Sequence, residues 1–195
     1  MDKDSSVYWR KENADGVVCR TYRDDVTEDE MARACMGNYD PEFNAVTRQG
    51  DILVSGYNFG TGSSREQAAT AILAKRIPLV LAGSFSSTFA RNSINNALVL
   101  LEVPRLVERL RAYFSEAEIQ KRGELETRPR LTRRTGWTLT WDVRRSVVEV
   151  NEGPNGMTWT EQVGELPPTV QAIITAGGLE AYIKANVAKS SKEED

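Results

Sequence analysis

The sequence predicts a mixed α/β domain, and three observations carry that prediction. Two near-continuous apolar runs, 51–56 and 78–83, flank a helix-compatible stretch from Glu66 to Lys75. Strand, helix and strand in that order make a right-handed parallel crossover with both sheet faces covered. Three later segments, 137–143, 146–151 and 157–163, alternate well enough for antiparallel strands, with 152–156 as a turn. Neither an internal repeat nor a domain-scale linker interrupts the 195 residues, and a chain of that length buries an ordinary core without staples.

The remaining elements follow from local signals. The first sixteen residues are polar and unpatterned apart from Val7-Tyr8-Trp9, read as a short edge strand. Thr27 is the N-cap of a helix from Glu28 to Met36, with Glu28, Asp29 and Glu30 favourably placed in its first turn. Residues 84–97 form a loop entering a helix, with Phe85 and Phe89 one turn apart and Ala97 on a compatible face. A strand at 98–103 leads to Pro104, at the first helical position of a helix through Phe114. The charged stretch 116–134 reads as an exposed connector, and its basic cluster Arg130, Arg133 and Arg134 as a solvated face. Pro167 and Pro168 open a helix to Ala176 that Gly177 and Gly178 end. The last helix, 179–189, frays into a charged tail. The expected organisation is a divergent segment at 1–16, one domain at 17–189 and a tail at 190–195.

Composition narrows the function classes. A net charge of −3, from 25 basic and 28 acidic residues interspersed along the chain, gives no reason to expect nucleic-acid binding. No run approaches the roughly eighteen apolar residues of a membrane span. Two cysteines, Cys19 and Cys35, fall short of a disulfide framework and suggest a reducing compartment. They also lack the number and clustered spacing of iron–sulfur ligands, and read as small buried hydrophobes. Neither a secretory signal nor an Arg-rich transit peptide is visible in the first residues.

The stretch Gly56-Tyr57-Asn58-Phe59-Gly60-Thr61-Gly62-Ser63-Ser64-Arg65-Glu66-Gln67 carries the chemistry. It joins a buried strand to a helix through three glycines, two adjacent hydroxyls and an arginine, which is how a chain builds an anion pocket. Glycine permits positive φ and close backbone approach to a ligand. The first helical N–H groups and the helix dipole then face a negative group, and Arg65 adds a bidentate grip on a carboxylate. Ser63-x-x-Glu66 and Ser64-x-x-Gln67 also spell overlapping capping boxes, a purely structural alternative. No Lys precedes the serines as a Walker loop requires, and Gly60-Thr61-Gly62 does not continue into a dinucleotide turn.

The run YNFGTGSSREQAATAILAK at 57–75, followed by AGSFSSTFARNSINNALVLLEVPRLV at 82–107, closely resembles the swivel domain of the aconitase superfamily. Within it the resemblance is to fungal-type homoaconitases. Gln67 after SSRE, where aconitase and isopropylmalate isomerase usually have His, supports that branch. So do Asn38-Tyr39-Asp40-Pro41-Glu42-Phe43, LTRRTGWTLTWDV at 131–143 and VGELPPTVQAIITAGGLEAYIK at 163–184. The similarity runs from about residue 15 to 187 and implies an α/β fold of the swivelling β/β/α type, as in the isopropylmalate isomerase small subunit.

The resemblance also implies roles. Ser63, the first serine of GSSR, would be the base that removes or returns a proton on carbon. Its alkoxide needs stabilising, which backbone N–H donors at Gly60, Thr61 and Gly62 and a nearby guanidinium would supply. Ser64 and Arg65 would hold a substrate carboxylate, Arg65 at any physiological pH. The family's Asn-Thr-Asp turn is matched poorly by Asn13-Ala14-Asp15-Gly16, so Asp15 and Arg20 are weaker substrate ligands, and Asp15-Gly16 is equally a surface turn. Asn92, Asn95 and Asn96 resemble a recurrent family motif read as architectural, bridging backbone groups.

An aconitase-type reaction uses a 4Fe-4S cluster, held by three cysteines from other domains of the superfamily, as Lewis acid on the substrate hydroxyl. This chain would ligate no metal itself. The implied function is the swivel-domain component of a homoaconitate hydratase, interconverting cis-homoaconitate and homoisocitrate in the aminoadipate route to lysine. It would act on a tricarboxylate-type substrate with a cluster-bearing large subunit, or as a piece of a longer enzyme, and be inactive alone. The alternatives are an isopropylmalate isomerase-like small subunit, with the loop 57–61 tuning the substrate side chain, and a non-catalytic carboxylate-binding module. Location would be mitochondrial by resemblance, with the cytoplasm as the alternative; neither nucleic acid nor membrane is expected as a partner.

Overall fold

Ile52, Leu53 and Val54 send alternate side chains to opposite faces of a strand, and that alternation generates two cores. The computed structural model describes residues 7–9, 26–62, 66–121 and 131–193. Its elements are β1 (Val7–Trp9), α1 (Glu28–Ala34), α2 (Phe43–Val46), β2 (Ile52–Ser55), α3 (Gln67–Ala74), β3 (Leu79–Ala82), α4 (Ser87–Asn95) and β4 (Val99–Glu102). After them come α5 (Pro104–Lys121), β5 (Arg133–Arg134), β6 (Thr138–Asp142), β7 (Val147–Asn151), β8 (Thr158–Gln162), α6 (Pro168–Ala176) and α7 (Leu179–Glu193).

Five strands form one sheet in the order β4-β3-β2-β1-β5, and three form another in the order β6-β7-β8. β2 pairs parallel with β3, Ile52 opposite Leu79 and Ser55 opposite Ala82, as the crossover pattern predicts. Leu53, Val80 and Ala82 pack with Ala68, Ala69 and Ile72 of α3 and Phe89 of α4 on one face. Ile52, Val54, Leu81 and Leu101 pack on the other with Leu106 and Leu110 of α5, Val148 and Val150 of β7, and Trp137. The layers are therefore helices, a mostly parallel sheet, and α5 with an antiparallel sheet, in agreement with the predicted β/β/α architecture.

Local signals account for most boundaries. Thr27 caps α1 by accepting from Glu30 N, and Glu30 reaches back to Thr27 N, closing a capping box. Gly177 ends α6 at φ 87, its N–H bonded to the Ile174 carbonyl while Gly178 N–H bonds that of Ile173. Gly178 lies against α4, where an added Cβ would stand 2.7 Å from the Asn95 carbonyl oxygen. The Asn96 side-chain amide donates to the Asn92 carbonyl at 2.8 Å, which fits the architectural reading of that motif.

Five sequence readings need correction. β1 is not an edge strand: it pairs parallel with β2 and antiparallel with β5, so Arg133 and Arg134 close the sheet beyond it. Those arginines are accordingly not a solvated face. Arg134 pairs with the buried Asp51 at 3.3 Å, and the Arg133 guanidinium stands 5.0 Å from the Phe114 ring centroid. α5 runs on to Lys121 rather than stopping at Phe114, and α7 continues past Lys189 to Glu193. Ala97 lies beyond the end of α4 at φ 61 rather than on its face. Cys35 is buried in the core, as expected; Cys19 and Arg130 fall outside the described residues.

The antiparallel sheet is tied to α5 by polar contacts. Glu161 of β8 accepts from Arg105 N at 3.1 Å and Leu106 N at 3.2 Å, satisfying two helix-start donors from across the chain. Burial pushes its carboxyl above the ordinary range. Glu152, 8% exposed, receives both arms of the Arg109 guanidinium at 2.7 and 2.9 Å and Trp159 Nε1 at 2.8 Å. Arg109 holds that carboxyl below its ordinary range against the opposing effect of burial.

Arg109→Ala is therefore expected to lower stability by about 2 kcal/mol at neutral pH. That is less than a fully buried pair would lose, because Arg109 is partly exposed. A depressed folded-state pKa stabilises above the unfolded carboxylate value of about 4.3 and ceases to as pH falls through the folded value. The gap between wild type and Arg109→Ala in urea midpoints should thus be full at pH 7 and narrow below about pH 4. A gap that does not change with pH would contradict the assignment.

Candidate functional site

The glycine loop leaves the carboxyl end of β2, the third of five strands, where parallel sheets receive ligands beside a neighbouring strand's loop. That neighbour is the segment after β3, and backbone bonds strap the two together. Gly83 N–H donates to the Gly56 carbonyl at 3.0 Å, Asn58 N–H to Ser84 Oγ at 2.8 Å, and Phe59 N–H to the Ser84 carbonyl at 2.9 Å. Ser86 N–H returns a bond to the Phe59 carbonyl at 2.9 Å. Ser86 Oγ donates to the Gly60 carbonyl at 2.8 Å while accepting from Phe89 N at 3.3 Å as the N-cap of α4. One serine hydroxyl thus fixes both the loop and the start of a helix.

Apolar packing sets the loop's height. Phe59 and Phe89 are fully buried and meet edge to face at a centroid distance of 5.3 Å, with Phe85 closing the cluster at 6.2 and 6.3 Å. Gly60 runs over this cluster at φ 83, and a Cβ built there would stand 2.4 Å from Phe89 Cγ. Glycine is required twice over, for the left-handed backbone and for the close approach. Beyond it Thr61 and Gly62 are exposed.

α3 begins at Gln67, one position into the predicted helix, with Glu66 at its N-cap in an α conformation and no side-chain capping bond. Ala69 N–H and Thr70 N–H already turn back to the Glu66 carbonyl, at 2.9 and 3.2 Å. The helix start that follows Gly60, Thr61 and Gly62 in the chain thus receives no side-chain cap from Glu66, an arrangement that favours an anion. The predicted base Ser63 and the predicted carboxylate ligands Ser64 and Arg65 occupy the interval between Gly62 and Glu66 and lie outside the described residues. Asp15 and Arg20 lie outside them as well.

Sequence reasoning missed the straps. Ser84 and Ser86 follow β3 as ordinary loop residues, and only the N-cap pattern before α4 distinguishes Ser86; nothing local shows that its hydroxyl reaches Gly60. A second missed feature is Tyr57, whose hydroxyl donates to Glu108 Oε1 of α5 at 2.9 Å. Among the described residues no group of three or more His, Cys, Asp or Glu side chains is arranged to hold a metal ion, and no helix is long and apolar enough to cross a membrane.

With this geometry in view, the relatives are informative. The family model of the aconitase C-terminal domain matches residues 5–106, a little over half of the chain. The mitochondrial homoaconitase of Aspergillus oryzae is 61% identical over 177 residues, covering 90% of this chain and 22% of that protein. That of Emericella nidulans is 62% identical over 174 residues, covering 88% and 21%. The chain thus spans about a fifth of the length of these curated relatives. In structure it is similar to the 3-isopropylmalate dehydratase of Methanocaldococcus jannaschii, with a TM-score of 0.68 and 26% identity, covering 96% of this chain and 95% of that one. Sequence match and three-dimensional likeness agree, and the chain belongs to the aconitase C-terminal domain family.

Proposed function

We propose that this chain is the swivel domain of a homoaconitate hydratase, a hydro-lyase that interconverts cis-homoaconitate and homoisocitrate in lysine biosynthesis. The observation that carries the proposal is the extent of the likeness. Identity of 61% with the Aspergillus oryzae homoaconitase is spread over 177 residues, far more than the segment the family model matches. A carboxylate pocket shared with distant relatives would not require such agreement so far beyond the segment the family model matches.

In this reading Ser63 takes the proton from, or returns it to, the substrate carbon next to a carboxylate. The alkoxide form of Ser63, which accepts the proton in one direction and remains after giving it up in the other, is stabilised by amide donors of the strapped loop at Gly60, Thr61 and Gly62 and by the start of α3. Ser64 and Arg65 hold a substrate carboxylate so that the carbon presents its proton to Ser63. Asp15 and Arg20 would add ligands to the rest of the substrate.

The described residues do not suit an iron–sulfur cluster. Cys35 is enclosed by apolar side chains, and no group of metal ligands accompanies it. The cluster of the aconitase-type reaction is assigned to a cluster-bearing partner chain, or to domains elsewhere in a longer protein, which this domain approaches to complete the site. A mitochondrial location follows the names of the homoaconitase relatives.

Substrate preference tests the assignment. The complete enzyme containing this domain should dehydrate homoisocitrate with a kcat/KM at least about tenfold above that for 3-isopropylmalate, about 1.4 kcal/mol of discrimination. The reverse preference would transfer the domain to the isopropylmalate branch. Binding of the tricarboxylate without turnover by the complete assembly would leave a carboxylate-binding module.

A further inference from the structure

The loop after β2 is gripped from both sides of the sheet. Phe59 sinks into the core shared with α3 and α4, while Tyr57 packs against the opposite core, built around α5. The Tyr57 ring occupies the space above Gly83, where a Cβ would come within 2.7 Å of its ring carbons. Its hydroxyl donates to Glu108 at 2.9 Å, Glu108 accepts from Arg111 at 3.4 Å, and the Arg111 guanidinium stands 5.1 Å from the Tyr57 ring centroid. The three side chains form a closed cycle in which each is oriented by the other two. The carboxylate beside the phenol also pushes its pKa up, so Tyr57 stays a donor through neutral pH.

We propose that Tyr57, latched to Glu108 and Arg111, is a positioning residue for the reaction: it sets the level at which Gly60–Gly62 present their amide groups to the substrate. The proposal rests on the hydratase reading above. Asn58, at φ 54, and Gly60, at φ 83, give the loop two left-handed turns within three residues. The straps described above tie residues 58–60 to the segment after β3. They hold the loop toward β3 but leave its tilt over the sheet to the aromatic side chains on either face. Phe59 provides one of these and the Tyr57 latch the other. A small error in tilt would displace the amide groups of Gly60–Gly62 from the charge they are proposed to stabilise, with little effect on the carboxylate grip.

The test is a mutant cycle in the complete enzyme. Tyr57→Phe should lower kcat for homoisocitrate about 3- to 10-fold, the value of one net hydrogen bond, with KM changed less than about twofold. Glu108→Ala should do the same, and the double variant should be no slower than either single one. Glu108→Gln should recover most of the rate, because its amide oxygen still accepts from the phenol. Wild-type kcat in Tyr57→Phe, or losses that multiply in the double variant, would overturn the proposal. Amide hydrogen exchange on the 195-residue chain gives a readout independent of turnover. Tyr57→Phe should accelerate exchange at 58–62 and leave β7 and β8 unchanged. If the wild-type enzyme does not act on homoisocitrate, the hydratase reading fails and exchange alone decides: acceleration confined to 58–62 supports a positioning latch, whereas uniform or absent acceleration refutes it.

Discussion

Replacing Ser63 by alanine in the complete enzyme is expected to lower turnover by about 10³-fold or more, with KM for homoisocitrate changed only modestly. The split follows from the division of labour proposed for the loop. Ser63 Oγ is assigned to the proton, while Ser64 and Arg65 are assigned to the carboxylate, so the variant keeps its grip and loses its base. About 10³-fold corresponds to about 4 kcal/mol of transition-state stabilisation, within the range for removing a group that acts only as charge develops. Serine is a poor base unless its anion is stabilised in place, which is why the strapped backbone matters. Steady-state kinetics in both directions would check the prediction, since a base in one direction is the acid in the other. Unaltered turnover would assign the proton to another residue. A comparable loss carried entirely in KM would make Ser63 a binding residue.

Gly60→Ala is the second large effect, and it acts on stability as well as on the site. Two penalties coincide at this residue. At φ 83 an alanine is strained by about 1 kcal/mol. Its Cβ would stand 2.4 Å from Phe89 Cγ and 2.5 Å from Phe89 Cβ. The second of those atoms is attached to the α4 backbone and cannot swing aside, and the ring is fully buried between Phe59 and Phe85. Overpacking of this kind costs a further 1–3 kcal/mol or so, for a total of about 3 kcal/mol. Gly136 provides the control: it too has positive φ, at 72, but a Cβ there would find nothing within 4 Å. Gly136→Ala should therefore lose only about 1 kcal/mol. Urea denaturation of the two variants separates strain from collision, and equal losses would show that Phe89 yields to the new methyl group.

The parts of the fold that are legible in the sequence are those fixed by neighbours in the chain. β2, α3 and β3 announce themselves as apolar run, helix and apolar run; Thr27 and Gly177 mark helix ends; and the polarity pattern reveals β6, β7 and β8. What the sequence conceals depends on partners far away. Val7–Trp9 becomes an inner strand only because Arg133 and Arg134 pair beside it, across more than a hundred residues. The end of α5 is hidden for a different reason, because the residues after Phe114 are charged. Charge removes amphipathic periodicity but not helix propensity, and Glu116, Ala117, Glu118 and Lys121 are all good helix formers. The same holds for α7, which continues through Lys189 into the charged residues after it.

The candidate site divides in the same way. The glycines, hydroxyls and arginine of the loop are contiguous, so their pattern can be recognised directly. The groups that hold the loop in place are not. Ser84 and Ser86 come from the next crossover, Phe89 from α4, and Glu108 and Arg111 from α5, and each contact joins residues between 25 and 51 positions apart wherever a hydrogen bond to the loop is involved. A single sequence has no local signature for such ties, since serine before a helix or glutamate on an exposed helix face has ordinary local uses.

The most direct test of the central claim is a domain exchange. The segment of the Aspergillus oryzae homoaconitase that aligns with this chain would be replaced by it, and dehydration of homoisocitrate measured for the chimera with and without Ser63→Ala. The account predicts an active chimera that loses at least about 10³-fold in turnover on that single substitution. A folded chimera without activity, or one indifferent to the loss of Ser63, would contradict it.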